Sequence, residues 1–336
     1  MEKFSPSDYK LLKSLCSLRQ ESLRKTLVPY LKKKYDTVIV KKEYIYAPGD
    51  IPVALVAHMD TVFNYPPKNI YFDKEAGIIW SPEGLGADDR AGVFSIVKIL
   101  QHGYRPTVIF TADEEIGGLG AMQLVKDFNN PTTDLNFIIE LDRRGELDCV
   151  FYECDNKSFV DFIEDYGFIQ NFGTYSDICE ICEVWGVAGT NLSIGYQDEH
   201  SVSETLNVNV MMYTIKKVEN ILKDFETKEI PKFKYIPMTY ESYYRGWNTK
   251  MLYGHQEPTE LFCKKCNAKM DEFEAIPAYG LNGKMAYFCS NCCVNYVDWC
   301  DICNNGFEVE GNVIEHPHIC PECKNRVKVA NSDNGK

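Results

Sequence analysis

Strand-like and helix-like patterns alternate along about the first 225 residues of this 336-residue chain, and this alternation restricts the fold more than any other feature. Apolar runs such as IPVALVA, TVIFTA and LNFIIEL have β character, and apolar residues at helical spacing separate them. Such alternation is typical of a mostly parallel sheet with helices on both faces. We therefore predict a three-layer α/β domain, with one or two covering helices within residues 7–35.

The remaining predicted elements follow the same order. Further strands are expected at TVIVKKEYIY, CVFYE and TNLSIGY. Further helices are expected from Ala91 onward, over GAMQLVKDF and SFVDFIEDYGF, and over the segment from Met211 to Leu222. In a sheet of this kind, ligands bind beyond the carboxyl ends of the strands.

Cysteine is concentrated near the end of the chain, where nine of the 14 cysteines fall within the last 77 residues. Each of four CxxC pairs has the spacing that lets two thiolates bind one tetrahedral zinc ion, which predicts two structural zinc sites. Sequential pairing would give two zinc ribbons in tandem, whereas interleaved pairing would give a cross-braced module. Cys293, beside Cys292, is a candidate for a spare or substitute ligand. The pairs are Cys263 with Cys266, Cys289 with Cys292, Cys300 with Cys303, and Cys320 with Cys323.

The composition predicts four segments. Residues 1–225 form the α/β domain, 226–259 an ordered connector rich in tyrosine and proline, 260–328 the small cysteine-rich zinc-binding domain, and 329–336 a disordered tail. The start MEKFSPSDYK lacks the apolar core of a signal peptide, which favours a cytoplasmic protein with zinc-bound rather than disulfide-bonded cysteines.

The net negative charge of the chain restricts the kinds of partner that it can bind. The net charge of -13 disfavours nucleic acid and anionic membranes, and nowhere do about 18 consecutive apolar residues occur. From residue 260 onward the chain has 8 basic and 11 acidic residues, which opposes phosphate binding. Contact with a protein partner, substrate gating or self-association is therefore the expected role of the cysteine-rich module, beside stabilisation by zinc.

Residues with metal-ligand chemistry follow the predicted strands, and a glycine-flanked Asp-Asp pair opens a predicted helix. Singly, each has an ordinary explanation as a surface pair, a helix cap or a solvated charge. Together, two histidines and three carboxylates suit two zinc-like ions about 3.5–4 Å apart that share one carboxylate. The candidates are His58, Asp60, Asp88, Asp89, Glu114, Glu115, Asp142 and His200.

The motifs HMDTV, LGADDRAG, ADEEIGGLGA, ELD and DEH, in this order over residues 36–225, resemble the dinuclear zinc peptidases of the M20/M28/M42 clan. The resemblance implies a zinc-exopeptidase-like fold and hydrolysis by a metal-bridging water. It implies that His58 and Asp142 hold one zinc ion, that Glu115 and His200 hold the other, and that Asp88 bridges them. Glu114 would be the general base, and Asp60 would support His58.

The chain also departs from that pattern. Only 58 positions separate Asp142 from His200, which leaves no room for the inserted lid domain of the M20 branch. The compact unit resembles the M28 branch, although HMDTV and ADDRAG look more like tripeptidase-type M20 sequences. The lid residue that would stabilise the oxyanion is missing, and Tyr175 is a candidate replacement, with core packing as the favoured alternative.

Two further pairs have open interpretations. Arg143 and Arg144 could bind a substrate carboxylate or form salt bridges. Cys179 and Cys182 are better explained as buried structural cysteines than as metal or redox groups.

The resemblance implies an exopeptidase of the aminopeptidase, dipeptidase or tripeptidase type, with a peptide or N-acyl amino acid as substrate and with two catalytic and two structural zinc ions. The alternatives are an amidohydrolase or deacylase that acts on a non-peptide amide, and a catalytically silent adaptor that uses the zinc module. The substrate-binding residues are not identified from the sequence.

Overall fold

The computed structural model describes residues 3–238, 261–270, 276–281, 285–300, 306–309 and 320. The chain divides into two units, Met1–Lys250 and Met251–Lys336. The predicted tail and most of the predicted connector lie outside the described residues. The boundaries at residues 225 and 260 stay predictions.

The helices of the first unit are numbered in chain order. They are α1 (Pro6–Cys16), α2 (Gln20–Lys32), α3 (Ala87–Gln101), α4 (Leu119–Asp127), α5 (Lys157–Glu164), α6 (Asp177–Trp185) and α7 (Val208–Asp224).

The strands of the first unit form two sheets. They are β1 (Ile39–Val40), β2 (Tyr44–Ala47), β3 (Ile51–His58), β4 (Tyr71–Asp73), β5 (Ile78–Trp80), β6 (Pro106–Thr111), β7 (Phe137–Arg143), β8 (Asp148–Val150), β9 (Ile169–Asn171), β10 (Gly189–Ser193), β11 (Tyr196–Gln197) and β12 (Thr205–Asn207).

The large sheet has eight strands in the order β1-β2-β6-β3-β7-β10-β8-β9. Its centre is parallel, because β3 pairs in parallel with β6 and β7, and β7 pairs in parallel with β10. The small sheet, in the order β11-β12-β5-β4, is antiparallel. The carboxyl ends of β3, β6 and β7 therefore meet at one edge of the large sheet.

The core lies on both faces of the large sheet. Along β3, Val53, Leu55 and Ala57 belong to one buried cluster, whereas Ala54 and Val56 belong to another. Alternate side chains of a strand point to opposite faces, and both faces here are covered. The predicted three-layer α/β fold is confirmed.

Helix α1 begins with a complete N-terminal capping box. Pro6 occupies the first turn of α1, and the Ser5 hydroxyl accepts the backbone N–H of Asp8, whose carboxylate accepts the N–H of Ser5. This capping box satisfies donors that a helix start leaves unpaired. Leu12 and Leu15 then face the core.

Two predicted elements differ from the structure. TVIVKKEYIY was expected to be one strand but forms the hairpin β1–β2, whose turn contains the polar residues KKE. TNLSIGY is also divided, because Gly195 has a φ of 97°, a conformation that favours glycine and ends the run after β10. Helix α6 and the small sheet were not predicted.

The second unit contains short elements. They are β13 (Leu261–Phe262), β14 (Lys269–Met270), β15 (Ile276–Tyr279), β16 (Met285–Phe288), α8 (Ser290–Tyr296), β17 (Val297–Trp299) and β18 (Gly306–Glu308). Strands β13 and β14 form one sheet, and the order β16-β15-β18-β17 forms the other. Across the described parts of both units, no helix has the length and apolar character needed to cross a membrane.

Candidate metal centre

The first group of candidate ligands lies where β3 and β7 end. His58 is the last residue of β3, and 1% of its side chain is exposed. Its Nε2 atom lies 3.0 Å from Oδ1 of Asp88 and 3.5 Å from Oδ1 of Asp142. One ligand atom from each of the three residues lies within 4.8 Å of the others. The group has the donor types and the spacing to hold one metal ion.

The second group shares Asp88 with the first. Nε2 of His200 lies 3.1 Å from Oδ2 of Asp88 and 3.1 Å from Oε2 of Glu115. These three ligand atoms also lie within 4.8 Å of one another. Asp88 thus presents one carboxylate oxygen to each histidine, which is the position of a bridging ligand.

Backbone contacts hold Asp88 in place. The carboxylate of Glu204 accepts the N–H groups of Gly86, Ala87 and Asp88, at 2.5, 3.1 and 3.0 Å. Gly86 has a φ of 68°, a conformation that favours glycine, and the Asp88–Asp89 peptide bond is cis. Sequence reasoning missed Glu204, because no motif distinguishes it from a surface carboxylate.

Asp60 connects the two halves of the centre. Its Oδ1 atom lies 3.2 Å from Nδ1 of His58, and its two oxygens accept the backbone N–H groups of Glu114 and Glu115 at 3.1 Å each. A carboxylate in this position fixes both the orientation of the imidazole and the loop that follows β6.

Asp142 is oriented by residues that the sequence did not single out. The hydroxyls of Ser176 and Tyr196 donate to its carboxylate oxygens at 3.2 and 3.1 Å. The side chain of Asn191 binds the backbone N–H and carbonyl of Asp142 at 2.9 and 2.8 Å. Serine, tyrosine and asparagine are common in any chain, and only the folded arrangement gives these three residues a role.

Burial and mutual repulsion perturb the carboxyl groups of the centre. Burial raises the pKa of Glu114 to about 8, that of Glu115 to about 7 and that of Asp142 to about 6, and neighbouring carboxylates add to each shift. Burial also acts to raise the pKa of Asp88, but hydrogen bonds with His200 and His58 hold it well below its usual range. Like charges packed at this density call for cations between them.

The histidines respond in the opposite direction. Burial by itself lowers the pKa of His58, but Asp142, Asp60 and Asp88 raise it well above the ordinary value. The hydrogen bond with Asp88 raises the pKa of His200 to about 9, and Glu115 adds to this shift. Both imidazoles therefore lie in a strongly negative environment, which also favours divalent cations.

The donor set fits divalent metal. Each group offers imidazole nitrogen and carboxylate oxygen, the combination found at catalytic zinc sites. Oε1 of Glu115 is buried without a hydrogen-bond partner among the described residues, which leaves a ligand atom available. The centre can accommodate two ions that share Asp88.

Two more buried carboxyl groups lie near the centre. Glu140 has both carboxylate oxygens unpartnered among the described residues, and Asp177 accepts a hydrogen bond from the Thr111 hydroxyl. Burial raises the pKa of Glu140 well above its usual value and that of Asp177 to about 7. The sequence analysis did not identify either residue as part of the site.

The remaining candidates have structural contacts. Nη2 of Arg143 donates to the carbonyl of Phe172 at 3.0 Å, and Nη1 of Arg144 lies 2.8 Å from Oε1 of Glu199. Nη2 of Arg143 also lies 3.6 Å from Oδ2 of Asp148, and these contacts agree with the salt-bridge interpretation of both arginines. Tyr175 is 39% exposed, and therefore the favoured alternative of core packing is wrong.

The two cysteines of the isolated CxxC pair lie on α6. Cys182 is buried in a core cluster, and Cys179 is half-buried. Neither forms a disulfide, and the burial of Cys182 agrees with a structural role.

The second unit brings the first two CxxC pairs together. One sulfur from each of Cys263, Cys266, Cys289 and Cys292 lies within 4.8 Å of the others. Despite burial, backbone N–H groups lower the pKa of Cys263 to about 6, whereas burial and neighbouring thiols raise that of Cys292 to about 12. This four-sulfur group fits one tetrahedral zinc ion, and it matches sequential rather than interleaved pairing.

The other two pairs are partly described. Cys300 and Cys320 are buried in one small cluster, and Sγ of Cys300 lies 3.3 Å from the backbone nitrogen of Cys320. Cys303 and Cys323 lie outside the described residues, and their assignment to a second zinc site stays a prediction. Cys293 is buried in the cluster around Phe288.

Comparison with known proteins supports the fold. No family model matches the chain, and no curated protein matches it. A tripeptidase from Staphylococcus aureus subsp. aureus Mu50 is similar, with a TM-score of 0.54 and 15% identity, over 66% of this chain and 98% of the tripeptidase. A TET aminopeptidase from a marine sediment Thaumarchaeota archaeon is also similar, with a TM-score of 0.51 and 14% identity, over 65% of this chain and 97% of the aminopeptidase. At such identities the likeness shows a shared fold.

Proposed function

We propose that the first unit is a di-zinc exopeptidase that hydrolyses peptide or N-acyl amide bonds. The observation that carries this proposal is the position of Asp88, whose two oxygens lie 3.0 Å from His58 and 3.1 Å from His200. A carboxylate shared by two ligand groups is what a pair of adjacent metal ions needs.

His58 and Asp142 would hold one ion, Glu115 and His200 the other, and Asp88 would contact both. Such ions supply Lewis acidity, which activates water and polarises the amide carbonyl. The hydroxyls of Ser176 and Tyr196 keep the Asp142 carboxylate turned toward the centre, and Asp60 does the same for the imidazole of His58.

Glu114 is proposed as the general base. It follows β6 next to the candidate ligand Glu115, and Asp60 fixes the backbone N–H groups of both residues. The Glu114 side chain has no assigned ligand role, and its carboxylate is free to take a proton from the attacking water and to pass it to the leaving nitrogen. Asp60 thus positions the base as well as the imidazole.

The shared fold supports a peptidase rather than a silent adaptor, because similar structures include a tripeptidase and an aminopeptidase. The complete ligand set with a base beside it supports the same conclusion. The second unit is proposed to be a structural zinc module, with Cys263, Cys266, Cys289 and Cys292 around one ion.

The test is hydrolysis of a panel of short peptides, N-acyl amino acids and non-peptide amides by zinc-loaded protein. Wild type and Glu114→Gln are compared at equal zinc content, with Glu75→Gln, an exposed residue in the β4–β5 turn, as the matched control. We expect cleavage that falls by about 10²–10⁴ in Glu114→Gln and is unchanged in Glu75→Gln. Cleavage restricted to non-peptide amides would favour the amidohydrolase alternative, and no cleavage would favour the adaptor.

A further inference from the structure

A cleft of about 470 Å³ opens beside the candidate metal centre. One wall is the turn between α1 and α2, the other is the segment 61–67, and Asp60 and Glu115 of the centre lie in its lining. The volume falls within the range of roughly 300–1,000 Å³ that is typical of small-ligand sites. The position beside the centre suits a bound substrate.

Arg19 is the cation available in this cleft. The lining residues include two arginines, Arg19 and Arg90. Arg90 is buried, and its guanidinium donates to the backbone carbonyls of Leu15, Leu18, Met59 and Asp60. Arg19 is exposed, and its guanidinium has no hydrogen bond or ion pair with any residue that the structure describes. A ligand carboxylate would therefore meet Arg19.

The guanidinium of Arg19 lies over an aromatic ring. Its central carbon lies 5.1 Å from the ring centroid of Tyr65, on the opposite wall of the cleft. Stacking on an aromatic face occupies the plane of the guanidinium but leaves its N–H groups free at the edge. The contact with Tyr65 can therefore orient the guanidinium of Arg19 while its N–H groups stay available to a ligand.

The backbone that carries Arg19 is fixed on both sides. Arg90 binds the carbonyls of Leu15 and Leu18 just before it. The Gln20 side chain just after it donates to Oδ1 of Asp113 at 2.7 Å and accepts the backbone N–H of Asp113 at 3.2 Å. Asp113 precedes Glu114 and Glu115, and the spacing between Arg19 and the metal centre is therefore set by direct contacts.

We propose that Arg19 binds the free α-carboxylate of the substrate, so that the enzyme selects short substrates that end in a carboxylate. This inference rests on the proposed function. The acyl end lies at the metal centre and the carboxylate pairs with the guanidinium. The length of the cleft between these two points therefore limits the length of the substrate. The same chemistry would accept a short peptide or an N-acyl amino acid.

The test compares matched substrates that differ only in that carboxylate. Unblocked tripeptides and N-acetyl amino acids are each offered as the free acid and as the C-terminal amide, to zinc-loaded wild type and to Arg19→Gln. Charged hydrogen bonds of this kind predict a kcat/KM for acids that exceeds that for amides by roughly tenfold to a hundredfold in wild type. Arg19→Gln is expected to lose this preference through a higher KM and to cleave amides as wild type does.

Two further variants serve as controls. Arg19→Lys keeps the charge but loses the fork, and an intermediate preference is expected. Arg24→Gln, on α2 but outside the cleft lining, should keep the wild-type preference.

The outcomes separate the two proposals. A wild type that cleaves acids and amides equally, or an Arg19→Gln variant that loses both equally, would overturn the role of Arg19 and leave the exopeptidase proposal standing. A wild type that cleaves none of these substrates would overturn both. A preference for tripeptides over N-acetyl amino acids would show that the bound carboxylate belongs to a peptide. The reverse preference would show that it belongs to an N-acyl amino acid.

Discussion

The two units of the chain offer candidate metal ligands from very different surroundings. In the first unit the ligands stand at the edge of an eight-stranded sheet whose two faces are covered by large apolar clusters. In the second, the described residues form two clusters of four buried residues each, and three of these eight residues are cysteines. Because burial of one large apolar side chain contributes roughly 1.5–3 kcal/mol, we expect the first unit to fold without metal, whereas the described part of the second unit has little apolar burial to offset its chain entropy.

This difference in apolar burial predicts a different role for metal in each unit. At the sheet edge, a scaffold with a large apolar core holds the carboxylates and imidazoles, and under the proposed function a metal ion there would serve catalysis. In the second unit, two CxxC segments bring four thiols together, and a metal ion there would supply folding free energy. The same class of ion would thus have two separable effects within one chain.

Removal of all metal gives the largest expected difference. We predict that strong chelation removes hydrogen-exchange protection from β13 to β16 and from α8, because zinc binding contributes roughly 10–16 kcal/mol to small structural sites of this type. Amides of β3, β6 and β7 should stay protected under the same conditions. Equal loss of protection in both units, or none in either, would contradict the proposed difference in how the two units depend on metal.

Substitution of the shared ligand should separate the two kinds of site. Asp88→Ala is expected to abolish both ions of the first unit and to lower activity by at least about a hundredfold, while the zinc of the second unit is retained. Metal analysis of the purified variant tests this, with Cys263→Ser as the reciprocal variant. Retention of full metal content by Asp88→Ala would show that Asp88 is not a ligand.

A smaller effect is expected at Asp60, which contacts a candidate ligand without being assigned to metal. Asp60→Asn should lower activity or metal affinity by about 10–100-fold, because the imidazole of His58 and the loop at Glu114 lose their orientation. Titration of apo protein with zinc, followed by kinetics at saturation, separates the two causes. Wild-type zinc affinity and wild-type kinetics in this variant would show that Asp60 contributes neither to metal binding nor to activity.

The smallest effect concerns stability of the first unit without metal. Burial alone would raise the pKa of Asp8, but hydrogen bonds with Ser5 and the ion pair with Lys98 at 2.9 Å lower it. Asp8→Asn should therefore reduce the free energy of unfolding by about 1–3 kcal/mol at pH 7.

This contribution has a defined pH dependence. A group whose pKa is lowered by folding stabilises the fold above its unfolded value, near 3.9 for aspartate, and loses that effect as pH falls through the folded value. Denaturant unfolding of the chelated protein at pH 7 and at pH 3 should show the difference between wild type and Asp8→Asn shrinking with acid. A difference that grows with acid would contradict the cause assigned here.

Sequence patterns predicted the layers of the first unit because strand and helix periodicity is local. The strands that end in His58, precede Glu114 and contain Asp142 were recognised from their apolar runs. The supports of the site were not, because Glu204, Tyr196 and Arg19 gain their roles from contacts between distant segments. Helix α6 was missed for another reason. Its buried residues Ile178, Ile181, Cys182 and Trp185 do have the i, i+3, i+4, i+7 spacing of a helical face, but the helix has only nine residues and its CxxC pair fits a cysteine motif as well as a helix.

The most direct test of the central claim is anomalous X-ray diffraction at the zinc absorption edge from crystals of the zinc-loaded protein. The account predicts two separate peaks in the first unit, one beside His58 and Asp142 and the other beside Glu115 and His200, with the Asp88 carboxylate between them. A single peak that excludes one of these histidines, or no peak at Asp88, would contradict it.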